Sequence, residues 1–307
     1  MQISVFGEVA VDHVFHIRAP RTNLKWPIEK RRDIAGGAGA NVAATYNALG
    51  CDVDFFTGVS DNPRHHDLYK YLEQAGIRII NVAPGEISEI YDLVFPNEGG
   101  RTVAVCPGKI LEDVSLALDD VHCMQSDILH VTPVAMKAAI RIPRMYNARI
   151  KVLSPAAEFI GGSSEQFRDL IQRYDVLCLE VAEARQYTNL ISLEDILDWF
   201  SQIKRLCTVI TQGDQGATCI FRGTVAHAEP AQLPLPVVDT MGCGDVFAAT
   251  FAYFFLSSEQ DVSYALAEAS CYARYMAAID GMWLELLNKR LCFKEKGLTC
   301  NSQLNTW

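Results

Sequence analysis

Short β-forming runs alternate with helix-patterned stretches along most of this chain. That alternation restricts it to α/β folds, in which βαβ units build a mostly parallel, Rossmann-like central sheet flanked by helices. The β-type runs are Ile3–Phe6, Val53–Thr57, Ile77–Val82, Ile128–Val131, Lys151–Leu153, Asp175–Leu179 and Thr208–Thr211. Helical patterns occupy Asn41–Leu49, His66–Ala75, Glu194–Lys204 and Asp261–Ala278, and the first two are closed by Gly50 and Gly76 where a C-terminal cap belongs. With 307 residues, 50% of them hydrophobic, the chain has ample material for one large buried core.

One stretch departs from the alternation. Glu89–Pro96 and Thr102–Cys106 read as strands, and Asn97-Glu98-Gly99-Gly100 between them has the composition of a hairpin turn. Such a hairpin has no crossover helix to pack it on the parallel sheet, so it either projects as a small antiparallel flap or decorates the surface. The segment from Asp12 to Asp33 is able to pair with it. The expected organisation is one α/β domain over 1–307, with lid segments 12–35 and 88–107 inserted in it.

A formal net charge of −10 and the absence of a Lys/Arg-rich block exclude a chain that grips nucleic acid or anionic lipid through its overall field. Ten cysteines at irregular spacings, with no C-x-x-C pair, point to reduced, mostly buried thiols rather than a zinc site. The opening residues lack a secretory pattern, and the most apolar stretch, Val246–Leu256, is about half the ~20 residues of a membrane span. The expectation is a soluble, cytoplasmic protein.

Chemistry concentrates where a predicted strand, Leu235–Val238, runs into Asp239-Thr240-Met241-Gly242-Cys243-Gly244-Asp245 and then into the apolar helix Val246–Leu256. Gly242 and Gly244 let the backbone turn tightly against a ligand, and the first N–H groups of a helix lack internal partners. With the helix dipole added, this is a site for phosphate oxygens. An aspartate beside such a site is repelled by phosphate unless it has a task. Accepting the proton of a hydroxyl nucleophile in phosphoryl transfer is such a task. The helix N-terminus is expected to lower the Asp245 pKa and make it a weak base. The plainer reading is a helix-start acid after a glycine turn.

A second glycine-rich approach, Gly36-Gly37-Ala38-Gly39-Ala40-Asn41, also leads into a helix. It is neither a dinucleotide fingerprint nor a P-loop, because Val42 stands where the third glycine belongs and no Gly-Lys-Ser/Thr ending follows. Asn41 both donates and accepts, which suits a polyol, although it equally suits a helix cap. Upstream, Phe6-Gly7-Glu8-Val9-Ala10-Val11-Asp12 ends a strand on an acid able to accept two hydroxyls, or else on a solvated loop acid.

Taken together and in this order, these motifs resemble the ribokinase-like (PfkB-type) family of sugar and nucleoside kinases, from Val5 to about Gly281. The 36–41 run is similar to that family's N-terminal signature and the 239–245 run to its C-terminal one. Gly58-Val59-Ser60-Asp61, Gly99-Gly100-Arg101-Thr102 and Thr211-Gln212-Gly213-Asp214-Gln215-Gly216 resemble weaker family elements. The resemblance implies that Asp12, Gly37, Asn41 and the lid residue Arg101 bind substrate. It implies an anion hole at Gly242, Cys243 and Gly244, with Asp245 as base. Thr211, Gly213, Asp239, Thr240 and Ser270 would serve ATP.

Where the family carries Asn-x-x-Glu to organise Mg²⁺, this chain reads Glu180-Val181-Ala182-Glu183, so Glu180 and Glu183 are the metal candidates. Cys243 replaces the usual alanine, Arg64 a frequent glycine, and Ser154 a frequent acid or amide. The implied cofactors are ATP and Mg²⁺, with a monovalent cation left open. The implied partner is a small sugar or nucleoside, with a homodimer through the lid also open. The favoured function is phosphorylation of a hydroxyl, a primary one by preference, of a small sugar. The alternatives are a nucleoside kinase and a catalytically weakened relative that only binds such ligands.

Overall fold

The computed structural model describes residues 1–17, 27–84, 86–95, 100–106, 108, 124–156, 163–279 and 304–306. Fourteen strands, β1 to β14, follow one another among these residues. They are Gln2–Phe6, Ala10–Ile17, Ile28–Gly36, Asp52–Val59, Arg78–Pro84, Ser88–Phe95, Gly100–Cys106, Met124–Val131, Tyr146–Leu153, Val176–Glu180, Cys207–Thr211, Ala217–Phe221, Thr224–Ala228 and Leu304–Thr306. Ten of them form one sheet in the order β14-β13-β12-β11-β10-β9-β8-β1-β4-β5. From β11 to β5 every ladder is parallel, while β12, β13 and β14 extend one edge antiparallel. All seven runs expected from sequence lie within this sheet.

The parallel strands are apolar because both faces are covered. Ile3, Val5 and Phe6 of β1 are fully buried, and Phe6 stacks on Phe56 with ring centroids 4.4 Å apart. The helices Ala38–Ala48 and Cys243–Ser257 are apolar almost all round, as expected of helices enclosed between the sheet and each other. Helices at Met136–Met145, Ser164–Ile171 and Val181–Thr188 escape the sequence reading. Each is short, and the first contains Pro143.

The remaining strands make a four-stranded sheet in the order β3-β2-β6-β7. Its outer ladders are antiparallel, the β6–β7 ladder as the hairpin composition predicts, and the central β2–β6 ladder is parallel. Two separate excursions from the main sheet therefore join side by side. The turn residues 97–99, the Arg101 side chain and residues 284–303 lie outside the described residues.

Two expectations need correction. Leu235–Val238 forms no strand. Pro234 and Pro236 remove ladder donors, the amides of Val238 and Asp239 donate to the Ala277 carbonyl at 2.7 and 3.1 Å, and the Arg274 guanidinium donates to the Leu235 carbonyl. The segment is thus strapped to the end of the Val262–Met276 helix. The cysteines are free thiols at 51, 106, 178, 207, 219 and 243, but Cys271 is disulfide-bonded. No helix among the described residues is long and apolar enough to cross a membrane.

Candidate active site

The sheet order itself marks a place for a ligand. From β1 the chain moves outward through β4 and β5, then returns to β8 on the other side of β1 and proceeds to β9, β10 and β11. Crossovers diverge at such a switch point, leaving a crevice outside the carboxyl ends of the strands. Gly7 and Glu8 follow directly on β1 there, and the Thr132 hydroxyl, just past β8, donates to the Phe6 carbonyl at 3.0 Å.

Glycines draw the Ala38–Ala48 helix onto this end. A Cβ on Gly39 would lie 2.7 Å from the Gly7 and Glu8 backbone, and Gly37 takes φ +96° where a Cβ would strike Ala10 N and the Glu8 carbonyl. Ala40 donates its N–H to the Glu8 carbonyl at 3.1 Å. The close approach swings Asn41 toward the start of the Cys243–Ser257 helix, where its Nδ2 donates to Asp245 Oδ2 at 2.7 Å across 204 residues of sequence. The two glycine-rich motifs therefore meet in space.

Gly242 enters that second helix at φ +72°, a left-handed conformation that admits glycine without strain. The Cys243 amide is already used, donating to the Thr240 carbonyl at 3.2 Å. The open donors of the turn are the amides of Gly244 and Asp245, for which no partner exists among the described residues. Gly244 is exposed, with nothing within 4 Å of its Cβ position. The amides left open at this helix start are thus those of Gly244 and Asp245, not that of Cys243.

The expected lowering of the Asp245 pKa is wrong in sign. Burial pushes it from 3.8 up to about 7, with the Asn41 hydrogen bond pulling the other way. Loss of water around the carboxylate outweighs that bond.

Asp12 also differs from its reading as a strand-end acid. It is the third residue of β2 in the smaller sheet, only 5% exposed, with its carboxylate against Gly36. Glu8, which sequence reasoning passed over, joins it. It is 4% exposed, and its pKa rises to about 7 through burial, opposed by the Ser88 hydroxyl and assisted by the charges of Asp12 and Asp245. An acid two residues past a buried strand, at its carboxyl end, was the available signal.

Thr211 and Gly213, expected at the nucleotide, lie on the other flank. Glu180 ends β10 and pairs in register with Thr211 at the end of β11. Gly213 opens the turn that follows. Four inter-strand steps of ~4.8 Å separate β1 from β11, about 19 Å. The Cys243–Ser257 helix spans the interval, packing on both β8 and β10. Asp239 caps its own turn by accepting the Met241 N–H at 3.0 Å, and Thr240 is exposed beside it. Ser270 is buried, accepting the Ala231 N–H at 3.0 Å and donating to the Glu229 carbonyl at 3.3 Å, so its hydroxyl holds a loop in place. Ser154 is engaged by His130 at 2.8 Å, and His130 in turn by the Tyr46 hydroxyl at 2.9 Å. Burial of this network pushes the imidazole down to about 3, keeping it neutral.

Glu183 accepts the Glu180 N–H at 2.8 Å, a capping-box contact that opens the Val181–Thr188 helix. Among the described residues no three His, Cys, Asp or Glu side chains gather around one point as a protein-built metal cage. The hard oxygens of Glu180 and Glu183 suit a Mg²⁺ that keeps most of its shell as water and phosphate.

Comparison with known proteins agrees with this fold. A family profile described as "pfkB family carbohydrate kinase" matches residues 2–281. An "ATP-dependent ribose-1-phosphate kinase" from Halopiger xanaduensis is 26% identical over 270 residues, covering 86% of this chain and 87% of that one. A "Fructokinase" from Klebsiella pneumoniae is 29% identical over 234 residues, covering 70% and 74%. Among solved structures, the Burkholderia thailandensis nucleoside kinase in complex with inosine superposes with a TM-score of 0.77 at 17% identity. It covers 94% of this chain and 93% of its own, a likeness of fold.

Proposed function

The chain belongs to the pfkB family of carbohydrate kinases and is an ATP-dependent carbohydrate or nucleoside kinase, and on that premise we propose that it phosphorylates a hydroxyl, preferentially a primary one, of a small sugar or sugar derivative. The observation that carries this reading is the 2.7 Å contact between Asn41 and Asp245 at the joined starts of two helices. It supports an acceptor held by Asp12, Asn41 and the Gly37 turn, with its reacting hydroxyl against Asp245.

Asp245 acts as the proton acceptor. With its pKa at about 7 it is about half ionised at neutral pH and basic enough to take a hydroxyl proton as the bond to phosphorus forms. The amides of Gly244 and Asp245 and the helix dipole stabilise the equatorial oxygens of the transferred phosphoryl group. On the far flank, Thr211, Gly213, Asp239 and Thr240 border the nucleotide, and Ser270 holds the neighbouring 229–231 loop. Glu180 and Glu183 would hold the Mg²⁺ of the nucleotide, which supplies charge neutralisation of the phosphates. The four-stranded sheet closes over the acceptor, bringing Arg101 with it and excluding water.

A panel of D-ribose, D-fructose, keto-sugar acids, sugar phosphates and nucleosides, followed by ADP release with Mg²⁺-ATP, tests this directly. Turnover confined to nucleosides would move the acceptor assignment to that class, and no ADP from any compound would refute catalysis.

A further inference from the structure

Glu8 stands at the root of the four-stranded sheet. Its backbone carbonyl receives Ala40 N–H at 3.1 Å and sits against Gly37, where β3 returns to the main body. Its carboxyl accepts the hydroxyl of Ser88, the first residue of β6, which pairs with Ala10 at the start of β2. Ser88 Oγ in turn accepts Gly108 N–H at 3.0 Å, just beyond β7, at a point where a Cβ on Gly108 would collide with the Glu86–Ser88 backbone. All four strands of the smaller sheet thus leave the body around this one residue.

Such a position calls for a satisfied, uncharged side chain, yet Glu8 is 4% exposed and its Oε2 has no hydrogen-bond partner among the described residues. A buried carboxylate oxygen without a donor is costly, and nothing about holding a sheet root requires it. The charges of Asp12 and Asp245 both act on it, so it lies close to two of the residues proposed to serve the acceptor.

We propose that Glu8 is an acceptor-binding residue: its free oxygen takes a hydroxyl hydrogen of the incoming sugar, while its other oxygen holds the lid root through Ser88. One carboxyl then senses the acceptor and sets the lid. The inference rests on the kinase reading above. It also narrows the substrate class, because an oxygen flanked by two further acids selects a hydroxyl-bearing, uncharged edge of the acceptor. Burial and the neighbouring charges that raise the Glu8 pKa describe the same unmet demand for a donor.

The test is Glu8→Gln, which preserves shape and the acceptor for Ser88 but replaces the orphan oxygen with an NH₂ group. With whichever of D-ribose, D-fructose or inosine the wild type turns over fastest, the KM for that compound should rise about tenfold to a hundredfold, with the KM for ATP unchanged. The melting temperature of the ligand-free variant should stay level or rise, because a buried repulsive charge is gone. An unchanged acceptor KM, or a lower melting temperature, overturns the proposal, the latter because it marks a purely structural role. Ser88→Ala keeps the orphan oxygen but releases the carboxyl from the lid root, and should raise the same KM. No change there also counts against the coupling. Wild-type protein that releases no ADP with any compound of the full panel defeats the kinase reading instead, and the melting measurement still decides the role of Glu8.

Discussion

Replacing Asp245 by Asn separates function from stability, because the two should move in opposite directions. The folded carboxyl titrates at about 7 against an ordinary value of 3.8. A group whose folded pKa is raised carries a proton that the unfolded chain has already lost. The stability it allows is therefore complete below about pH 4 and lost as pH rises through about 7. At ~1.4 kcal/mol per tenfold change in the proton equilibrium, ionising Asp245 costs the folded state at most about 4 kcal/mol at pH 7.5. Since the residue is only half-buried and Asn41 remains as a partner, about 2 kcal/mol is the expected gain on removing the charge. In a chain of this size that raises the melting temperature by about 3–6 °C. At pH 5 the gain should fall to less than half, because folded Asp245 is then already protonated. Turnover should drop by a factor of about 10²–10⁴ for loss of a general base, with ATP affinity retained. Scanning fluorimetry at the two pH values and coupled ADP release at pH 7.5 read both effects. A variant that keeps more than about a tenth of wild-type turnover would refute the base assignment. A variant that melts lower would refute the burial argument.

Other consequences are equally direct. Wild-type kcat/KM should fall below about pH 7 as Asp245 takes up its proton, read from initial rates between pH 5 and 9. Asn41→Leu removes the hydrogen bond that lowers the Asp245 pKa, so the acid limb of that profile should move to higher pH. Gly244→Ala adds a methyl that meets nothing within 4 Å in the free protein. Folding should be unaffected or improved by up to about 1 kcal/mol, while turnover falls because the methyl stands where phosphate oxygens approach the open amides. Normal activity in that variant would show that phosphate is held elsewhere.

Much of this was legible in residue order, for identifiable reasons. Period and alternation report local backbone preference, so all seven parallel-sheet runs and five of the eight α-helices among the described residues were found within a few residues of their ends. Glycine spacing reports where backbone must come close, so the 36–41 and 239–245 runs declared themselves as turns into helices. The helix at 136–145 was missed because Pro143 interrupts its pattern, and those at 164–171 and 181–188 because 8 residues carry too few turns for a period to stand out.

The amino-acid sequence by itself determined the α/β sheet, the two glycine-led helix starts and the identity of Asp245, Asn41 and Asp12 as candidates, since each depends on near neighbours in the chain. Only the tertiary structure decided that Leu235–Val238 is strapped to a helix end instead of joining the sheet, and that the Cys243 amide is spent within its own turn. It alone set the direction of the Asp245 pKa and the place of Glu8. Those outcomes depend on which distant groups exclude water or supply a donor, and Asn41, Ser88 and Ala277 reach their partners only once the chain has folded.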